Sequence, residues 1–266
     1  MSTFNPIGRP AIAVRVCLCC ALAWLHPAAA VSGESYRDAW IAQASIGLPL
    51  QVLDALSQIA GADRRLLALR AYLRAGDALS ARWSWSQSLQ SAYPGTAEGK
   101  TVSIELDAVA AAFAAANRGF ALRVNRRPRS LEAQITNWNE NASVGTAAAA
   151  CERALDRQFG NRHAPPSATE LRKALIDWQT GSSATLAAPG LSAHGQARAF
   201  DFQVERGGEL IAGTDASSAR SQWDMAGWTQ RLHAAVNSAG NHFTGPLQSP
   251  YEPWHYAYLP AASQPR

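Results

Sequence analysis

The stretch Ser192-Ala-His-Gly-Gln-Ala-Arg-Ala-Phe-Asp201, which continues to Val204, indicates the fold more clearly than any other part of the chain. Residues 199–204 alternate between apolar and polar types, and this period of two predicts a strand with Ala199, Asp201 and Gln203 on one face. His194 lies in a predicted loop that enters the strand. The stretch therefore predicts a sheet with an imidazole and a carboxylate close to the start of one strand.

A second short motif, Glu252-Pro-Trp-His255, lies near the end of the sequence. Two imidazoles and one carboxylate are a sufficient ligand set for zinc, because catalytic zinc usually takes three protein ligands and leaves the fourth position to water. Glu252 stands three residues before His255 and could act on that water as a general base. We therefore expect one zinc ion per chain, with His194, Asp201 and His255 as ligands and Glu252 as a catalytic residue.

Helices and a few short strands are predicted around these motifs. Apolar residues recur at near-helical spacing between about residues 36 and 91, which predicts a helical N-terminal region, and residues 93–99 form a predicted loop and domain boundary. Further helices are predicted over 104–117, from 131 to 138, over 169–178 and over 223–238, with a connection over 139–150 and strands over 120–124 and 254–259. This pattern predicts an α+β fold, in which helices pack on a small, mostly antiparallel sheet that carries the zinc site.

Residues 1–30 have the pattern of a secretory signal peptide. Arg9 and Arg15 precede the short apolar run from Val16 to Leu25, and the small residues at 28–30 suit cleavage. The run is too short for a membrane span, so we expect an exported protein, periplasmic or extracellular, with no stable span after signal removal. An uncleaved anchor is the alternative. The expected division is 1–30 signal peptide, 31–98 helical region and 99–266 zinc domain.

Charge and cysteine content narrow the possible functions. The formal net charge of +4 is too small to indicate a nucleic-acid partner. Cys17, Cys19 and Cys20 lie in the predicted signal peptide, which leaves Cys151 alone and without an internal disulfide. The sequence has neither the H-E-x-x-H helix of many zinc proteases nor the G-x-S-x-G turn of serine hydrolases.

Taken together, the two motifs resemble those of the zinc D-alanyl-D-alanine carboxypeptidases, which include the vancomycin-resistance D,D-peptidases. That family has S-x-H-x-x-G-x-A-x-D followed by E-x-x-H or E-x-W-H. The matching residues are Ser192, His194, Ala199 and Asp201 in the first motif, and Glu252, Trp254 and His255 in the second. Ala197 stands where the family usually has glycine, and it would be strained if that position needs a positive φ. The resemblance implies the metallopeptidase fold shared by lysostaphin, D-Ala-D-Ala peptidases and hedgehog proteins.

The segment from Arg129 to Gln134 is similar to the family's Y-R-S-x-x-x-Q segment, with Pro128 in place of the tyrosine. The resemblance implies that Arg129 is catalytic and faces the substrate carbonyl or carboxylate, which an arginine fork can hold. It also implies substrate-binding roles at further matched positions. These are Ser130, Gln134, Ser192 and Trp254.

The resemblance implies an exported zinc peptidase that hydrolyses peptide bonds in peptidoglycan stem peptides. A D-alanyl-D-alanine carboxypeptidase is the first expectation, and a peptidoglycan endopeptidase of the same fold is the alternative. Two other classes stay open. The chain could be a zinc-bearing but inactive cell-wall-binding module, or an interaction protein whose helical region docks an unknown partner.

Overall fold

An antiparallel sheet with helices packed on it gives this protein an α+β fold, as predicted. The computed structural model describes residues 33–179, 181, 184–240 and 242–260. The predicted signal peptide, residues 1–30, lies outside these described residues. Within them, no helix is long and apolar enough to cross a membrane.

Residues 33–96 are largely helical, with short turns between the helices. Gly61 and Gly76 flank the third helix with φ of 77° and 50°, in the left-handed region that favours glycine, which is why the helix begins and ends there. The helices are α1 (Gly33–Ala44), α2 (Leu50–Gln58), α3 (Ala62–Ala75), α4 (Leu79–Arg82) and α5 (Gln87–Ala92).

Each of the next four helices begins with a polar cap. Thr96, Ser130, Asn141 and Ser167 each accept a hydrogen bond from a backbone N–H in the first turn, which satisfies a donor that the helix itself leaves unpaired. These helices are α6 (Ala97–Ala116), α7 (Leu131–Glu140), α8 (Ala142–Phe159) and α9 (Ala168–Asp177), and α10 (Trp228–Ala239) follows later in the chain.

Three local predictions were wrong. The loop predicted over 93–99 is shorter, because Thr96 caps α6 and the helix already begins at Ala97. The predicted connection over 139–150 is largely the start of α8, because its alanine run has high helix propensity and Val144, Ala147 and Cys151 bury one face. The helix predicted over 223–238 begins only at Trp228. Trp223 belongs instead to a separate π-helical turn, Ala219–Asp224, and is fully buried there.

The main sheet has the strand order β1-β2-β7-β4, with β3 also paired to β2, and each of these pairs is antiparallel. A separate short pair, β5-β6, lies beside it. The register between β2 and β7 places Asp201 directly opposite His255. The strands are β1 (Ala121–Val124), β2 (Ala199–Arg206), β3 (Glu209–Ala212), β4 (Phe243–Thr244), β5 (Leu247–Gln248), β6 (Tyr251–Glu252) and β7 (His255–Tyr258).

Two hydrophobic cores hold these elements together. The first core joins α1–α4 to α7–α9 and the segment 184–191, and the second joins α6 and α10 to the main sheet. The first core therefore contains residues from both sides of the predicted boundary at 98/99. The candidate site lies where β2 and β7 meet the loop that leaves the first core.

Candidate metal centre

Strand pairing brings Asp201 and His255 together. Phe200 and Phe202 point into the second core and are almost fully buried, so the alternation of β2 turns Asp201 to the opposite face. Because Asp201 and His255 are direct cross-strand partners, their side chains are neighbours on that face. Asp201 Oδ1 lies 3.0 Å from His255 Nδ1.

His194 reaches the same place from a short 3₁₀ turn, Ala193–Gln196, just before β2. Its Nε2 lies 3.3 Å from His255 Nδ1 and 3.4 Å from Asp201 Oδ2. The turn ends at Ala197, which has φ 50° and ψ 36° and is 1% exposed. The position therefore does need a positive φ, and a left-handed alanine costs about 1–2 kcal/mol.

His194, Asp201 and His255 form a group that could hold a metal ion. Each offers one ligand atom, and these atoms all lie within 4.8 Å of one another. Among the described residues no other set of three or more histidine, cysteine, aspartate or glutamate side chains converges in this way. Two imidazole nitrogens and a carboxylate oxygen are a donor set that suits divalent transition metals.

Burial shapes the protonation of this group. Burial lowers the pKa of His194 to about 4, against the opposing effect of Asp201, so the imidazole is neutral at neutral pH, the form that binds metal. Burial alone would raise the pKa of Asp201, but the hydrogen bond with His255 and the nearby positive charges lower it below its ordinary value. Asp201 is therefore an ionised carboxylate within the group.

Glu252 stands at the edge of the three-ligand group. It lies on β6, opposite Leu247 of β5, and its Oε2 is 3.4 Å from His255 Nδ1. Burial raises the pKa of Glu252, His255 opposes the rise and Asp201 adds to it. A carboxylate with a raised pKa beside a possible metal position can exchange protons with groups that approach the metal.

Arg129 reaches the group from the end of the loop that follows β1. Its Nη2 lies 3.6 Å from Asp201 Oδ2, and its backbone N–H donates to the His194 carbonyl over 2.9 Å. The next residue, Ser130, caps α7, and its Oγ accepts from the Ala133 N–H over 3.2 Å. The guanidinium is about one-third exposed, so one cationic side chain borders the group and also faces solvent.

Two of the other residues in the matched motifs are buried. Gln134 is buried. Its amide Nε2 donates to the Arg129 carbonyl and to Ser84 Oγ, each over 2.9 Å. Its Oε1 accepts from the Gly190 N–H, also over 2.9 Å. Trp254 is 2% exposed in the second core, 6.0 Å from Trp223 between ring centroids.

Ser192 is half-buried and begins the His194 turn, where its carbonyl accepts from the Gly195 N–H over 2.9 Å. Ser192, Gln134 and Trp254 thus hold the main chain that carries the ligands.

Sequence reasoning missed the contribution of the N-terminal region. The Trp85 N–H donates to the Gly195 carbonyl over 3.0 Å, and the Ser84 N–H donates to the Gly190 carbonyl over 2.7 Å. Gln196 in turn donates its amide to the Trp83 carbonyl over 2.7 Å. Residues 83–85 thus support the turn that carries His194. No hydrophobic period or motif marks this segment, so no signal in the sequence pointed to it.

His242, just before β4, is not part of this group. Its Nδ1 is 2.7 Å from Glu105 Oε1 on α6, so it pairs a helix with the end of the sheet.

Comparisons of the chain with protein-family models, with curated proteins and with solved structures find no match. The resemblance to the zinc D-alanyl-D-alanine carboxypeptidases therefore stays a prediction based on the motifs themselves. A fold does not determine an activity, whereas the geometry of the site limits which chemistry its residues can perform.

Proposed function

We propose that this protein is an exported zinc metallopeptidase that hydrolyses peptide bonds in peptidoglycan stem peptides, as a D-alanyl-D-alanine carboxypeptidase. The observation that supports it most is the position of Glu252. The Glu252 carboxylate has a raised pKa and borders the group of His194, Asp201 and His255, which could hold a metal. A site that only binds metal has no need of an additional base.

Zinc is the metal that we propose for this donor set. Catalytic zinc sites commonly have three protein ligands, of histidine and carboxylate type, and keep one position open. His194, Asp201 and His255 supply those ligands without a cysteine, and the described residues hold a single free cysteine, the buried Cys151. When bound, zinc polarises a carbonyl and lowers the pKa of water towards ~7.

The chain's own residues then have distinct tasks. Glu252 takes a proton from the water that attacks the scissile carbonyl and passes it to the leaving amine. Arg129, the cation next to Asp201, stabilises the negative charge that develops on the carbonyl oxygen. Arg129 is also the candidate for holding the terminal carboxylate that a carboxypeptidase must recognise, since a guanidinium fork matches a carboxylate.

The products of digestion test this proposal. Purified muropeptides with pentapeptide stems and with cross-linked stems are incubated with the intact protein and zinc, and the products are weighed by mass spectrometry. Loss of one alanine residue from the pentapeptide stem is expected. Cleavage of the cross-link alone would favour an endopeptidase of the same fold, and unchanged muropeptides would contradict hydrolysis altogether.

The matched controls are two single substitutions. His194→Ala removes one metal ligand and should abolish cleavage, whereas Glu209→Gln changes an exposed carboxylate on β3 and should leave cleavage intact. Cleavage that persists in His194→Ala would come from a contaminating enzyme or from a different site.

A further inference from the structure

A cavity that is distinct from the metal centre lies beside the segment 184–191, which leads towards His194. It is a cavity of about 470 Å³ between α3, α4, α7, α8 and the segment 184–191. This volume falls within the range of small-molecule sites, roughly 300–1,000 Å³. None of the four acidic and imidazole residues of the metal centre lines it.

Three arginines border this cavity: Arg70, Arg74 and Arg82. Arg70 and Arg74 stand one helical turn apart on α3, where two like charges repel each other. Among the described residues no carboxylate forms an ion pair with any of these three arginines. Many other arginines of the chain do have such a partner, as Arg37 does with Glu152. Within the part of the chain that the structure describes, three positive charges thus border one cavity without a paired carboxylate.

Arg70 is fixed in position. Its guanidinium donates to the Trp178 carbonyl over 2.8 Å and 3.2 Å and lies 5.2 Å from the centroid of the Trp178 ring. Burial, and then the charge of Arg74, lower the pKa of Arg70. A half-buried cation that is held by a carbonyl and a ring keeps donors free for an anion, since a guanidinium has five N–H groups.

The rest of the lining is largely apolar. Leu67, Trp138, Leu186 and Leu191 border the same cavity as the arginines. A ligand that fits both features carries an oxyanion group next to an apolar body. Guanidinium groups bind phosphate oxygens in a bidentate geometry, and several of them can share one phosphate.

We propose that this cavity is a binding site for an organic phosphate, with the phosphate held by Arg70, Arg74 and Arg82 and its apolar part against Leu67 and Trp138. The ligand can be a soluble phosphate ester or the headgroup of an anionic lipid, since both present the same chemistry. The site is separate from the metal centre and does not depend on the proposed peptidase activity.

Calorimetric titration of the intact protein with phenyl phosphate tests the proposal. Binding of one molecule per chain is expected, with a Kd of about 1 mM or tighter. Arg74→Ala and Arg82→Ala should each weaken it by roughly tenfold or more. Both side chains are exposed, so these substitutions are expected to leave the fold intact, which circular dichroism checks.

Two control variants separate this site from others. Arg157→Ala removes an exposed arginine on α8, ten residues from Ala147 of the cavity lining and so about 15 Å along the helix, and should leave the Kd unchanged. His194→Ala should also leave it unchanged, because the phosphate is not at the metal centre. The proposal would be overturned by absence of binding. It would also be overturned if Arg157→Ala lost as much affinity for phenyl phosphate as the Arg74 and Arg82 variants, or if only His194→Ala lost affinity.

A sedimentation experiment then identifies the source of the phosphate. If the wild-type protein sediments with phosphatidylglycerol vesicles and the Arg74→Ala and Arg82→Ala variants do not, the phosphate comes from a lipid headgroup. Phenyl phosphate binding without sedimentation would identify a soluble ligand. Phosphatidylcholine vesicles, which carry no net charge, are the control.

Discussion

The backbone N–H of Arg129 donates a hydrogen bond of 2.9 Å to the carbonyl of His194. One residue belongs to the loop before α7 and the other to the turn before β2, so this bond joins two distant parts of the chain at the candidate site. The side chains of both residues approach Asp201, His194 Nε2 at 3.4 Å and Arg129 Nη2 at 3.6 Å from its Oδ2. The main chain thus fixes the separation between a possible metal ligand and the nearest cation.

Glu252→Gln keeps the shape of the side chain but removes its basicity. We expect zinc binding to persist and hydrolysis of muropeptides to fall by two or more orders of magnitude, about 3 kcal/mol in the barrier, because no other base replaces Glu252. His255→Ala should lose zinc and activity together. Zinc content by atomic absorption and initial rates decide between these outcomes. Wild-type rates in zinc-bound Glu252→Gln would require a different base.

Zinc should stabilise the folded protein against heat. An ion that binds only the native state at one hundred times its Kd adds about 2.7 kcal/mol to the free energy of unfolding. The melting temperature of the metal-free protein is therefore expected to rise when zinc is added, and His194→Ala and Asp201→Asn should show little or no rise. An equal rise in these variants would place the bound zinc outside the three-ligand group.

Gln134→Leu tests whether the buried amide supports the site. The substitution leaves the Gly190 N–H and the Arg129 carbonyl without the partners described above, and each unpaired buried group costs about 1–3 kcal/mol. Denaturant unfolding should show a loss of about 2–6 kcal/mol in the free energy of unfolding. Gln158→Leu, on the exposed face of α8, should change stability by no more than about 0.5 kcal/mol.

Glu170 predicts a dependence of stability on acid pH. Hydrogen bonds from the Ser167 backbone, from Arg162 and from the Ser167 hydroxyl lower its pKa from 4.5 to about 2. A carboxylate whose pKa is lower in the folded state stabilises the protein above its unfolded pKa, and this contribution is lost as the pH falls towards the folded pKa.

The melting temperature of the wild type should therefore exceed that of Glu170→Gln at pH 6, and the difference should shrink between about pH 4.5 and pH 2. Glu132→Gln is the control. Glu132 also lies in a first helical turn but accepts no hydrogen bond from the described residues, so it should show a smaller difference at pH 6. A difference for Glu170→Gln that stays constant down to pH 2 would contradict the role of the capping box.

The strand over 199–204 was predictable because its apolar–polar alternation is local. The choice of His194, Asp201 and His255 as candidate ligands was predictable from their residue types and the two short motifs. The pairing of Asp201 with His255 was not predictable from period alone, since it joins residues 54 positions apart. The start of α8 was missed because an alanine run has no apolar–polar period, although its helix propensity is high.

The support that residues 83–85 give to the His194 turn was missed for a different reason. It consists of backbone hydrogen bonds, such as that from Trp85 to Gly195, which any residue type except proline can donate. The left-handed conformation of Ala197 was anticipated only as a consequence of the family motif. Nothing in the residue type predicts it, because alanine rarely adopts this conformation.

The composition of the first core limits which fragments of this chain can fold independently. A fragment that ended at residue 98 would keep Trp40 and Leu66 but lose Trp138 and Leu155, which share their core. Its helices would present an uncovered apolar face to water and would tend to aggregate. The N-terminal helices and the part of the chain that carries the candidate metal centre are therefore expected to fold together rather than as separate pieces. A search for a binding partner of these helices accordingly needs the intact chain as bait.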